Sequence, residues 1–141
     1  MPLDYSRAVF IRREFTVDCS PDAAWDAMRD VGNVHTRLVR GFVTDCTLAD
    51  GVRTVTFANG ITAQERIVSL DDDLRRLAYS ATGGRTSHHH ATVEVRGDGE
   101  QATLVWSVDL LPDEMGPAIA AMMDAGVAAM VATLGGDATS I

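Results

Sequence analysis

A glutamate and a histidine on separate segments carry most of the chemistry in this sequence. From Ile61 to Leu70, Ala63, Glu65 and Ile67 alternate with Thr62, Gln64, Arg66 and Val68. Such alternation puts each set on its own face of a β-strand. The apolar neighbours of Glu65 mark its face as the inner one. A carboxylate among apolar groups is costly unless it is paired, hydrated or protonated. Pairing with Arg53 or Arg66 on a solvated strand is the alternative. In the internal triplet His88-His89-His90, His89 shares a face with Ala91, Val93 and Val95 and is expected to point inward. Imidazole titrates near neutrality, so Glu65 and His89 are the catalytic candidates, as an acid–base pair. His88 and His90 supply two ligands at most, with no cysteine or aspartate cluster to complete a site. No metal and no cofactor is expected. There is no GxSxG nucleophile elbow and no glycine-rich phosphate loop.

These residues need a scaffold, and 141 residues suffice for one domain, 1–141, with a real core. A net charge of −8, with twelve arginines and no lysine, excludes nucleic acid and anionic membranes as expected partners. Cys19 and Cys46 form no CxxC pair and suit free thiols in a reducing cytosol, so a cytoplasmic protein is expected. Met1 to Arg13 carries charges where a signal peptide would be apolar.

From Asp113 to Leu134 the sequence predicts a long helix. Met115, Ile119, Met122, Met123 and Gly126 share its bulky half with Val127, Met130 and Leu134. Flexible methionines repack around irregular contents. The opposite half holds a smooth row, Ala121, Ala125, Ala128 and Ala132, that would allow a twin subunit to approach. Asp124, Pro117 and the glycines make the stretch a poor membrane span.

Upstream, a strand over Arg7–Val17 precedes Ser20-Pro21-Asp22, a helix start with a serine cap and proline at the first position. A second short helix is expected around Val34–Val39. Six strands follow: Phe42–Ala49, Val52–Ala58, Ile61–Leu70, Arg75–Thr82, Thr86–Arg96 and Ala102–Leu111. Asp50-Gly51 and Asn59-Gly60 read as two-residue hairpin turns. Short connections imply antiparallel neighbours. The expected fold is α+β: a seven-stranded, strongly curved antiparallel sheet around a long C-terminal helix, with two short helices after the first strand.

From Val9 to Leu134 the chain resembles the START/Bet v 1-like helix-grip superfamily, in its polyketide cyclase/dehydrase-like branch. The resemblance is carried by Val17-Asp18-Cys19-Ser20-Pro21-Asp22-Ala23-Ala24-Trp25, by Ala63-Gln64-Glu65-Arg66-Ile67, and by Thr103-Leu104-Val105-Trp106 before the final helix. It implies a small hydrophobic ligand held between sheet and helix. Val55 and Phe57 would form apolar wall, with Arg53 farther along the same face. Tyr79 and Ala91 would line the middle strands. The resemblance also turns Val105 and Asp109 inward, with Asp109 near the mouth, and leaves Arg37 or Arg40 to supply a charge. Trp25 and Trp106 read as core. Three functions follow as expectations: binding of a hydrophobic or amphipathic molecule; polyketide cyclisation or dehydration through Glu65 and His89; or a homodimeric interaction module without ligand.

Overall fold

The computed structural model describes residues 9–135. Strand β1 (Val9–Val17) leads into helices α1 (Pro21–Arg29) and α2 (Val34–Arg37). Strands β2 (Val43–Ala49), β3 (Val52–Phe57), β4 (Thr62–Asp71), β5 (Arg76–Thr82), β6 (His88–Arg96) and β7 (Ala102–Leu111) follow. One 3₁₀ turn, Asp113–Met115, opens into helix α3 (Gly116–Leu134). The start expected at Arg7 lies outside the described residues. The sheet is antiparallel in the order β1-β7-β6-β5-β4-β3-β2.

The helix-grip arrangement is as expected, except that the sheet is not strongly curled. Its edges, β1 and β2, do not pair with each other. Register shifts occur only between Val43 and Asp45 and between Ile67 and Ser69. Irregularities of that kind are what bend a strand.

Local chemistry explains the elements. Ser20 caps α1, its side chain accepting from the Ala23 N–H at 3.1 Å, with Pro21 at the first helical position. Asp72, in the β4–β5 turn, holds α1 to the sheet: Trp25 Nε1 and Arg29 Nε each donate to its Oδ1 at 2.8 Å. The bonds from Arg29 and then Trp25 keep this carboxyl below its ordinary pKa.

The two hairpins differ. Asp50 and Gly51 both have positive φ, 54° and 76°, as a two-residue turn requires. At Asn59-Gly60 only Gly60 does, at 89°. Phe57 N–H instead donates to Ile61 O at 2.8 Å, and the Asn59 side chain accepts from the Ile61 N–H at 3.0 Å. The loop is therefore three residues, Ala58-Asn59-Gly60. It sets β3 against β4 so that Arg53 lies directly opposite Glu65. A two-residue turn would have placed Arg53 opposite Arg66 and turned one strand's apolar face outward.

The core is densest where β1, β7 and β6 meet α3. Leu104, Val108, Ala91 and Met123 are wholly enclosed there. Gly126 lets α3 approach closely, since a Cβ at this position would stand 2.9 Å from Trp106 Cζ3.

Candidate functional site

Beside that solid region the sheet and helices enclose a cavity of about 480 Å³. Its walls are mostly apolar. Val55 and Phe57 of β3, Ala63 of β4, Met115 of the 3₁₀ turn and Ile119 and Met122 of α3 all line it, as the sequence suggested. Ile61 of the β3–β4 connection, Thr62 at the start of β4, and Arg85 and Thr86 of the β5–β6 connection also line it.

One polar cluster interrupts the wall. Arg53 Nε donates to Glu65 Oε1 at 2.7 Å, and Arg53 Nη1 reaches the Val31 carbonyl at 3.4 Å. The two side chains are only 6% and 13% exposed. The Arg53 guanidinium lies 4.9 Å above the centre of the Tyr79 ring, close enough for cation–π attraction. Burial works against the charge on Arg53, but the attraction of Glu65 holds its pKa above the ordinary value. Burial, reinforced by the Glu65 charge, pushes the Tyr79 phenol well up, so it stays protonated. The Trp106 indole N–H is near that phenol yet has no acceptor at full hydrogen-bonding distance. His89 faces the cavity, and burial lowers its pKa despite an opposing pull from Glu65. It is therefore neutral at pH 7.

Glu65 is thus inward but not alone: the pairing with Arg53, which sequence offered only with a solvated strand, occurs inside. Five expected wall residues do not reach the cavity. Val105 and Asp109 are on the outer face of β7, Val105 between Glu14 and Glu94 and Asp109 exposed beside Phe10 and His90. The inner face carries the even-numbered residues from Ala102 to Leu110. Ala91 points inward, but it is covered completely beside Tyr79 and Val108. Met123 and Gly126 face the sheet where packing leaves no space.

Arg37 is held by Asp26 and Asp30. Arg40 bonds the Thr36 carbonyl through Nε. Neither lines the cavity.

Sequence reasoning missed Leu38 and Val39 after α2, together with Met28 and Trp106. Trp106 is core, as read, but also wall. Its place among Leu104, Val108 and Leu110 at every second position was the available signal.

The sequence matches the family model described as polyketide cyclase / dehydrase and lipid transport over residues 9–135. The chain belongs to that family. Its fold recurs in the protein XoxI from Bacillus cereus, with a TM-score of 0.78 at 18% identity over 89% of this chain and 95% of that one. The Zhui aromatase/cyclase from a Streptomyces species gives 0.71 at 18% identity over 94% of each chain. A START superfamily protein from Mycobacterium smegmatis gives 0.70 at 8% identity, over 89% and 96%. At such identities the likeness is one of fold. No match was found among curated proteins.

Proposed function

We propose that this protein binds a small hydrophobic or amphipathic molecule between its sheet and α3. The observation that carries this reading is an open, largely apolar space of about 480 Å³ with one polar cluster in its wall. Few precisely placed polar groups in an apolar hollow are the usual make-up of a small-molecule site. Burying about 300 Å² of apolar ligand surface contributes roughly 7 kcal/mol before ordering costs. The flexible Met115 and Met122 adapt the wall to the guest. The free thiols of Cys19 and Cys46 support a cytoplasmic setting.

The test is a thermal-shift screen of hydrophobic compounds, with native mass spectrometry of protein purified without additives. Stabilising compounds should lose their effect on Ala63→Phe, which fills the hollow. Stabilisation that survives this substitution would refute cavity binding.

A second reading, supported by the neutral His89 in the same lining as Glu65, is acid–base catalysis of a polyketide cyclisation or dehydration. One oxygen of Glu65 is already engaged by Arg53, so His89 is the better placed base and Glu65 its electrostatic partner. His89→Gln should then abolish turnover of an enolisable poly-ketone while leaving its binding intact; unchanged turnover would remove the reading.

A further inference from the structure

The same cavity carries a statement about which guests it takes, and this rests on the binding reading above. We infer that the site selects an uncharged amphiphile bearing a hydroxyl or carbonyl, and discriminates against a carboxylate or an ammonium group on the same skeleton.

The polar cluster combines spare hydrogen-bonding capacity with a balanced charge. A guanidinium has five N–H donors. Arg53 uses one at short range on Glu65 and one at long range on Val31. Among the described residues, neither hydrogen on Arg53 Nη2 has a protein acceptor, and Glu65 Oε2 accepts no protein hydrogen bond. Among the side chains of the described residues, only His35 Nδ1 and Trp106 Nε1 are both fully enclosed and unpartnered. The unused atoms of Arg53 and Glu65 therefore look onto open space. Both residues line the cavity and are otherwise nearly covered. A free donor and a free acceptor thus stand side by side. One hydroxyl can donate to Glu65 and accept from Arg53 at once; a carbonyl can accept from Arg53.

An ion on the guest fares worse. The Arg53–Glu65 pair is electrically neutral as a unit, and His89 adds no charge at neutral pH. A carboxylate drawn to Arg53 meets the Glu65 carboxylate across a poorly solvated wall, and an ammonium drawn to Glu65 meets Arg53. Neither gains a net opposite charge to offset the loss of its own hydration. Arg85 is the other cation in the lining, but it is exposed at the rim, where an ion pair contributes little.

The experiment is calorimetric titration of the full chain with decanol, decanoate and decylammonium at neutral pH. The wild-type protein should hold decanol at least about tenfold tighter than either ion. Glu65→Gln leaves Arg53 uncompensated, so decanoate should gain by more than its wild-type deficit, about a hundredfold, and overtake decanol. Arg53→Gln should favour decylammonium in the same way. Wild-type affinity for either ion equal to that for decanol would overturn the inference, whatever the variants do. So would a folded Glu65→Gln protein that keeps the wild-type ranking. If all three bind alike, this inference fails and the binding reading stands; if none binds, both fail.

Discussion

One sheet supports two different interiors. Where Leu104 and Val108 of β7 and Ala91 of β6 meet α3 the packing is solid: all three are fully enclosed, and Gly126 admits the Trp106 ring at a distance that would crowd any larger residue. His89 and Val93 of β6 and the other side of Trp106 already border the hollow. Under β3, β4 and β5 the same inward alternation meets empty space, and Phe57 and Ala63 stay only partly buried. The difference lies in the cover. Gly126 and Met123 bring α3 down on the first half. The short α2 and the segment through Phe42 roof the second without filling it. Packing and open volume are thereby separated along the sheet: the solid half fixes the fold and the hollow half leaves room for the proposed guest.

That separation is broken most severely by a cavity in the solid half. Leu104→Ala should cost about 2–5 kcal/mol, read as a lower denaturant midpoint at unchanged slope. A loss under about 1 kcal/mol would mean that this half is already loose. Gly126→Ala acts by crowding rather than by removal. Its new methyl would stand 2.9 Å from Trp106 Cζ3 in the buried indole and 3.5 Å from Phe42 Cε2, so a loss of about 1–3 kcal/mol is expected. A neutral result would show that α3 shifts outward freely. Ala63→Phe in the hollow half should change stability by less than about 1 kcal/mol, because its ring enters existing space, while abolishing guest-induced thermal stabilisation. A loss as large as that of Leu104→Ala would erase the contrast.

The antiparallel meander from β2 to β7 was legible because local signals agreed. Asp50-Gly51 forms the two-residue turn expected of it, Ser20 caps α1, and the alternation of β4 and β6 points Glu65 and His89 inward. The hollow was harder to read. Whether inward residues meet a partner depends on how closely α3 and α2 approach, which no strand pattern encodes. Ala91 and Met123 were on the inward-facing sides as expected, yet neither reaches open space. On β7 the apolar run Leu104-Val105-Trp106 blurs the alternation, and the resemblance favoured the wrong face. The polar Thr103, Ser107 and Asp109 already argued for the other one. The Arg53–Glu65 pair turned on a single loop residue. Asn59 and Gly60 look like a two-residue turn, but the Asn59 side chain binds the Ile61 N–H and Ala58 joins the loop, which sets the register that makes them partners.

The smallest effect expected is a pH dependence confined to the hollow half. His89 is buried, and burial lowers its pKa more than Glu65 raises it; His88 and His90 add to the lowering. The folded protein thus holds it neutral. The unfolded chain takes up this proton as pH falls through about 6.5, the ordinary histidine range. Below that range the unfolded state binds more protons, so stability is full above it and declines as pH drops towards the lower folded value. His89→Gln removes the linkage, and its stability should fall less steeply than wild type between neutral and mildly acidic pH. Leu104→Ala should keep the wild-type slope, since it leaves the hollow unchanged. Denaturant midpoints across that range provide the measurement. Parallel profiles for wild type and His89→Gln would show that the imidazole is already solvated through the mouth, and the hollow half would then be an open cleft with no sheltered floor for a guest.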